Sequence, residues 1–115
     1  MSQLLLADLL SPDRIKIPLQ SRDKVGLISE LCTLLGSLID ATESEVEEIE
    51  EAVLQREAVL STGIGDGVAI PHGKSEALDD LVLLAGRTEA PIDFEALDGA
   101  PVRLVLLLVG PESAA

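Results

Sequence analysis

The sequence has very little of what disulfide frameworks, metal centres and aromatic binding surfaces are built from. It contains one cysteine, one histidine and one phenylalanine, and neither tyrosine nor tryptophan. The lone Cys32 excludes an internal disulfide and a cysteine-based metal cluster. With His72 as the single histidine, a zinc site or a Ser/His/Asp triad would have to converge on that one residue.

Basic residues are also scarce. There are 8 Lys and Arg against 21 Asp and Glu, which gives a formal net charge of −13. Because such a surface repels phosphate backbones and anionic lipids, we expect binding neither to nucleic acid nor to a membrane surface. The longest apolar run, residues 104–109, is far shorter than the ~20 residues that span a bilayer. The N-terminal leucines follow no basic residue, unlike a secretory signal. We therefore expect a cytoplasmic protein without membrane insertion.

The composition that remains is that of a globular domain. Hydrophobic residues are 47% of the 115 residues and charged residues 25%, which is not the balance of a disordered chain. A chain of this length holds one small core, and it shows no internal repeat and no low-complexity linker. The sequence therefore predicts a single domain over residues 1–115.

Three stretches predict helices. Residues 4–10 could form a short helix that stops at Ser11 and Pro12, because proline disfavours helical geometry just before it. Ser21 is predicted to cap a longer helix with apolar residues at three- and four-residue spacing. The predicted buried positions are Val25, Leu27, Ile28, Leu31, Cys32, Leu34, Leu35 and Leu38. Cys32 in this stripe is predicted to be a small core residue and not a reactive thiol.

The third helix is predicted to begin at Ser44, because Glu47 follows at the spacing of a capping box. Its apolar stripe consists of Val46, Ile49 and Val53. Its exposed side carries Glu45, Glu47, Glu48 and Glu51. These acids are either a solvated helix face or a docking surface for a basic partner.

The remaining apolar segments predict strands. Ile15 and Ile17 alternate with charged residues, which is the period of a half-buried strand. Residues 68–70, 81–85 and 102–109 predict further strands, of which the last is central. Ile92 and Phe94 predict a short edge segment. Strands interleaved with amphipathic helices indicate an α/β layered fold.

The stretch most informative about function is residues 55–74. Glycines permit unusual backbone geometry and close approach of amide groups to a ligand, and four of the nine glycines lie here: Gly63, Gly65, Gly67 and Gly73. His72 stands between Pro71, whose φ is restricted, and Gly73. A neutral imidazole near pH 7 is a competent nucleophile and proton carrier. A lone histidine can equally be a hydrogen-bonded structural residue.

Two cations bracket this stretch. Arg56 and Lys74 are the only basic residues between Lys24 and Arg87, and a guanidinium suits a fork-like grip on phosphoryl oxygens. If His72 accepts a phosphoryl group, Arg56 and the loop amides could stabilise the charge on the equatorial oxygens. Alternatively, Arg56 pairs with a neighbouring acid such as Glu57 on the surface, an interaction worth little. The chemistry alone leaves both readings open.

Residues 56–74, REAVLSTGIGDGVAIPHGK, resemble the signature of the type 2 EIIA domains of the phosphoenolpyruvate-dependent phosphotransferase system. This is the fructose/mannitol class, which includes the nitrogen-related regulatory EIIA proteins. The pattern combines an Arg-Glu pair, a Thr-Gly-x-Gly-x-Gly loop and Ala-x-Pro-His-Gly. Residues 90–92, Asp98-Gly99 and the leucine-rich strand ending at Gly110-Pro111 match in order. The resemblance covers essentially the whole chain.

The resemblance implies a mixed β-sheet flanked by helices and a phosphotransferase with a phosphohistidine intermediate. His72 would take a phosphoryl group from the phosphohistidine of HPr or of a nitrogen-branch relative, and transporter members pass it to a cysteine of an EIIB domain. By motif position, Arg56 would steady the phosphoryl group and Thr62 would be a loop residue near the histidine. The predicted phosphoryl-binding glycines are Gly63, Gly65, Gly67 and Gly73. No metal or organic cofactor is implied.

The family pattern continues beyond the last strand with a second active-site histidine and two further helices. The chain stops at Ala115, before that histidine would occur. The resemblance therefore implies a domain that is incomplete at its C-terminus, with the last helices missing. Those helices would normally cover part of the sheet, and apolar surface left exposed favours a homodimer or aggregation.

Two functions from different classes remain. The first is a phosphocarrier that accepts a phosphoryl group from phospho-HPr on His72 and passes it to an EIIB domain in sugar uptake. The second is a stand-alone nitrogen-type regulatory module, whose phosphorylation state controls partner binding because the group adds close to two negative charges. A purely structural domain with a buried, inert His72 is the remaining alternative.

Overall fold

The computed structural model describes residues 11–112, and the helix expected over residues 4–10 lies outside them. A 3-10 turn at Pro12–Arg14 leads into strand β1 (Ile15–Leu19) and then into helices α1 (Lys24–Ile39) and α2 (Glu43–Val59). The strands that follow are β2 (Gly63–Gly65), β3 (Val68–Ala69), β4 (His72–Lys74), β5 (Val82–Ile92) and β6 (Val102–Gly110).

The strands form one mixed sheet. Its order is β1-β5-β6-β3-β2, and β4 also pairs with β6. As predicted, β6 is central: it runs antiparallel to β5 at one edge and parallel to β3 and β4 at the other. Along that second edge, Val68 lies opposite Leu104 and His72 opposite Leu108. The sheet thus brings His72 to the carboxyl end of its central strand.

The two helices pack on one face of this sheet. On β6 the residues Val105, Leu107 and Val109 are buried with the apolar side chains of both helices in a single core. The helical members of that core are Leu27, Ile28, Leu31, Cys32, Leu35, Ile49 and Val53. The alternate residues of β6, Leu104, Leu106 and Leu108, are more exposed and point to the other face. Such alternation is general for a β-strand, although the continuous apolar run of residues 104–109 does not show it in the sequence. The α/β prediction is confirmed.

Cys32 lies entirely within the core. Burial, assisted by the nearby charge of Glu50, raises the pKa of the thiol to about 12. The thiol is therefore protonated at neutral pH and packs as a small apolar group. The prediction of a core cysteine is confirmed.

Helix α1 begins later than the sequence predicted. Its N-cap is Asp23, whose carboxylate accepts a hydrogen bond from the Gly26 amide. Ser21 is not the cap, because its amide and hydroxyl both donate to Glu30. Val25 in the first turn is 57% exposed and does not belong to the buried stripe.

Helix α2 begins earlier than predicted. Its capping box joins Thr42 and Glu45: the Thr42 hydroxyl accepts from the Glu45 amide, and the Glu45 carboxylate accepts from the Thr42 amide. The predicted pair, Ser44 and Glu47, has the same spacing and lies two residues further along the chain. Ile49 and Val53 form the buried stripe, as predicted.

The strand predictions were incomplete. The segment expected over residues 81–85 is the beginning of an eleven-residue strand, β5. Ile92 ends that strand, and Phe94 is fully buried outside any strand. The expected glycine loop contains β2, and His72 is the first residue of β4. Neither strand was predicted, because three residues are too few to show an alternation. No helix within residues 11–112 is long and apolar enough to cross a membrane.

Candidate functional site

A depression of about 450 Å³ lies beside α2, where β4 and β6 end. It is bounded by parts of the chain that are distant in sequence. The lining residues are Ala52 and Arg56 from α2, His72, Gly73 and Lys74 from β4, Leu108 and Gly110 from β6, and Leu81. The structure thus places the two predicted residues His72 and Arg56 on the same depression. Among the described residues, no group of three His, Cys, Asp or Glu could hold a metal ion.

Gly73 determines how closely α2 approaches β4. A Cβ atom at this position would lie 3.0 Å from a methyl carbon of Val53 and 3.2 Å from the backbone nitrogen of that residue. A larger side chain would therefore have to push the helix away. Arg56 is four residues after Ala52 and so lies on the same helix face. The close approach of α2 to β4 therefore also places Arg56 on the depression that His72 lines.

His72 is half-buried, and its orientation is set by the main chain. Nδ1 of the ring lies 2.9 Å from the carbonyl oxygen of Ile70. Because a carbonyl only accepts hydrogen bonds, the neutral ring carries its proton on Nδ1 and leaves the lone pair on Nε2. The ring is not enclosed in the core, in contrast to the alternative of a buried, inert histidine.

Arg56 is held at the end of α2. Its Nη1 donates to the carbonyl oxygen of Leu60 at 2.7 Å, which engages one branch of the guanidinium fork. It does not pair with Glu57, so that alternative is wrong. Glu57 is 5% exposed, and its carboxylate binds Thr62 and Lys24 instead.

Thr62 is buried and does not line the depression. Its amide and its hydroxyl both donate to the Glu57 carboxylate. Its carbonyl accepts from the amide of Ile70 at 3.0 Å, two residues before His72. A main-chain hydrogen bond therefore links Thr62 to the segment just before the histidine, while the Thr62 hydroxyl donates to Glu57.

The sequence reasoning missed Lys24 and Glu57. Lys24 Nζ lies 3.2 Å from the Glu57 carboxylate and 5.5 Å from the centre of the Phe94 ring. Lys24 and Glu57 are 33 residues apart, so no local pattern joins them. The available signal is the Arg-Glu pair of the motif, which by itself suggests Glu57 only as a partner for Arg56.

Three of the predicted glycines occupy a different place. Gly63, Gly65 and Gly67 lie in and beside the β2–β3 hairpin and are not among the residues that line the depression. A Cβ atom on Gly63 would lie 2.6 Å from that of Ala96. Gly65 and Gly67 have φ angles of 101° and 81°, which glycine adopts without strain. Of the four predicted phosphoryl-binding glycines, the structure places Gly73 at the depression.

Known proteins provide a comparison for this arrangement. The family model described as phosphoenolpyruvate-dependent sugar phosphotransferase system, EIIA 2, matches residues 8–115. A nitrogen regulatory protein of Bradyrhizobium diazoefficiens is 41% identical over 109 residues, which are 95% of this chain and 69% of the relative. The fructose-specific EIIABC component of Bacillus subtilis is 37% identical over 112 residues, which are 95% of this chain and 17% of that protein.

Solved structures show the same fold. The crystal structure of nitrogen regulatory protein IIA-Ntr from Neisseria meningitidis matches with a TM-score of 0.83 and 33% identity, over 95% of this chain and 73% of that one. The mannitol enzyme IIA of Escherichia coli, in its complex with phosphorylated enzyme IIB, matches with a TM-score of 0.73 and 21% identity, over 90% of this chain and 72% of that one. With a family model that spans nearly the whole sequence and a fold shared with these structures, the chain belongs to the type 2 EIIA family of the phosphoenolpyruvate-dependent sugar phosphotransferase system.

Proposed function

We propose that the chain is a phosphocarrier whose His72 accepts a phosphoryl group from the phosphohistidine of an HPr-type protein. The observation that carries the proposal is the contact of His72 Nδ1 with the Ile70 carbonyl. It leaves Nε2 as the nucleophile on a ring that lines the same depression as Arg56. Membership of the family supports phosphoryl transfer as the class of chemistry.

In the proposed step, the lone pair of His72 Nε2 forms a bond to phosphorus. The P–N bond of the donor breaks, and its electron pair returns to the donor imidazole. The proton on Nδ1 stays in place, where the Ile70 carbonyl stabilises the positive charge that the ring acquires. Arg56 supplies a cation for the equatorial phosphoryl oxygens, the role that a guanidinium fork suits. Lys74 lines the same depression and adds positive charge.

Two onward routes fit this step. Transfer to an EIIB domain in sugar uptake corresponds to the fructose-specific relative and to the mannitol enzyme, which forms a complex with phosphorylated enzyme IIB. Control of a regulatory target corresponds to the nitrogen regulatory relatives, at 41% identity in sequence and a TM-score of 0.83 in structure. We favour the regulatory route, because these relatives are the more similar in structure, with a TM-score of 0.83 against 0.73 for the mannitol enzyme.

The acceptor is tested by labelling with phosphoenolpyruvate, enzyme I and an HPr-type carrier. We expect one acid-labile phosphoryl group on the chain, and no labelling of His72→Ala, because the sequence has no other histidine. Arg56→Ala is expected to slow labelling about 100-fold with an unchanged circular dichroism spectrum, the size of effect that loss of one charge-stabilising donor has. Arg87→Ala, on β5 and exposed, is the matched control and is expected to be labelled at the wild-type rate.

Labelling that persists in His72→Ala contradicts the assignment of the acceptor. An unchanged rate in Arg56→Ala removes the arginine from the mechanism. For the onward route, rapid loss of the label to a purified fructose-type EIIB domain would support sugar transport, and retention of the label in its presence would support regulation.

A further inference from the structure

We propose that Glu57 is a positioning residue, which holds the His72 ring in its Nδ1-protonated tautomer through Thr62 and Ile70. The effect of Glu57 on phosphoryl transfer rests on the function proposed above. The link between Glu57 and the ring stands on contacts alone and can be measured without any transfer reaction.

The first part of the link is the way in which Glu57 holds Thr62. The side chain of Glu57 is 3% exposed. Its oxygens accept the Thr62 amide at 3.0 and 3.2 Å, the Thr62 hydroxyl and the Lys24 ammonium at 3.2 Å. An ionised carboxylate is kept in such a place only by donors of this kind, so the main chain at Thr62 is fixed to the end of α2.

The second part is a pair of main-chain hydrogen bonds. The carbonyl of the fixed Thr62 accepts the Ile70 amide at 3.0 Å. The carbonyl of Ile70 in turn accepts Nδ1–H of His72 at 2.9 Å. A shift of Thr62 therefore moves Ile70 and weakens the contact that selects the tautomer of the ring. Hydrogen bonds arranged in series also polarise one another.

The consequence for transfer follows from the chemistry of imidazole. A neutral ring attacks phosphorus only through its unprotonated nitrogen. If the hold on Nδ1 is lost, a fraction of the rings carries the proton on Nε2 and cannot react from that atom. Glu57 would then affect the rate of transfer without touching the phosphoryl group.

The test uses the single histidine of the chain. Its two ring nitrogens give one pair of ¹⁵N signals, which identify the tautomer when the ring is neutral. For the wild type we expect a protonated Nδ1 and an unprotonated Nε2. Glu57→Gln keeps the side-chain shape but replaces one acceptor oxygen by a donor. We expect it to give a mixture of tautomers and an about 10-fold slower transfer, with an unchanged half-saturating concentration of the HPr-type donor.

Two controls separate positioning from other effects. Glu43→Gln removes the same charge from an exposed position in the first turn of the same helix, and we expect both readouts to stay unchanged. Leu35→Ala leaves a cavity in the core and is expected to lower stability without altering the tautomer. A tautomer change that appeared equally in Leu35→Ala would assign the effect to general loosening and overturn the inference.

An intact Nδ1-protonated ring in folded Glu57→Gln overturns the inference, whatever the transfer rate. If that variant does not fold, Glu57→Asp retains the charge opposite Lys24 but withdraws the carboxylate from Thr62, and an unchanged tautomer there is equally decisive. Failure of the proposed function looks different. The wild type would then take no label from the phosphorylated carrier, or His72→Ala would keep it, while the effect of Glu57 on the ring would still be seen.

Discussion

Two glutamates of this domain are bound in the same manner, at different places in the fold. Glu30 in α1 fixes the chain that enters its helix, and Glu57 in α2 fixes the chain that leaves its helix. The donors to Glu30 are the amides of Gln20 and Ser21, the hydroxyl of Ser21 and the ammonium of Lys16. Each carboxylate therefore accepts from at least one main-chain amide, a hydroxyl and a lysine: two amides at Glu30 and one at Glu57.

The two arrangements differ in burial and in what they are connected to. The side chain of Glu57 is 3% exposed and its lysine 17%, whereas Glu30 is 13% exposed and Lys16 is 41% exposed. The hydrogen bonds of Glu57 continue through Thr62 towards His72, whereas those of Glu30 end at the junction of β1 and α1. The same chemistry thus organises the chain in both places, and its position in the fold decides whether it reaches the site.

The largest expected difference concerns stability. Glu57→Ala leaves the amide and hydroxyl of Thr62 without their buried acceptor and Lys24 with the exposed Glu95 as its ion-pair partner. We therefore expect the free energy of unfolding to fall by about 3–5 kcal/mol. In Glu30→Ala the freed donors are more accessible to water than in Glu57→Ala. We therefore expect its free energy of unfolding to fall by only about 1–3 kcal/mol. Urea denaturation of both variants measures the difference. A greater loss in Glu30→Ala would show that burial does not rank the two sites.

The contribution of Glu30 to stability should depend on pH in the acid range. Burial opposes its ionisation, but Lys16 and the hydrogen bonds from Gln20 and Ser21 outweigh that and lower the pKa of this carboxyl from 4.5 to about 2. Because the folded state favours the ionised form, this contribution is complete above the unfolded pKa and is lost as the pH falls from 4.5 towards 2. Over that pH range, we expect the free energy of unfolding of Glu30→Gln to fall by about 1–2 kcal/mol less than that of the wild type. Parallel stability curves for the two proteins would contradict this.

The smallest effect of all is expected at Lys16. Lys16→Met removes a pair that is open to solvent and is expected to change the free energy of unfolding by about 0–1 kcal/mol. Lys24→Met is expected to cost more, about 1–3 kcal/mol, because it strips a charged donor from a buried carboxylate. Thermal unfolding at low and high salt measures both. Salt should reduce the contribution of Lys16 more strongly, and an equal salt dependence would argue against the difference in burial.

The helices and the central strand were predictable because the spacing of apolar residues is a local property. The starts of the helices were not. Ser21 and Asp23 belong to the same class of capping residue, and the choice between them depends on Glu30, which takes the Ser21 hydroxyl from further along the chain. Strands β2 and β4 escaped prediction because three residues are too few to show an alternation. Strand β2 is defined by its pairing with the neighbouring β3, and β4 by its pairing with the distant β6.

The site was predictable as far as a linear motif extends. Residues 56–74 contain both His72 and Arg56, which line one depression in the structure. The motif did not show that Thr62 turns its hydroxyl to Glu57, or that Gly63 packs against Ala96. Thr62 and Glu57 both lie within the motif, but their contact depends on how the chain turns at the end of α2. The contact of Gly63 depends on the segment after β5, which lies outside the motif.

The connection between β3 and β4 determines which mutations the site can tolerate. The two strands lie along one edge of β6 and are joined by Ile70 and Pro71. Pro71 has no amide hydrogen to donate, although its carbonyl accepts from the Leu108 amide of β6. The Ile70 carbonyl binds the His72 ring. An acceptor made by the backbone exists whichever amino acid occupies position 70. Replacement of that side chain therefore spares the partner of the imidazole, whereas an insertion or deletion in the two-residue connection would remove it.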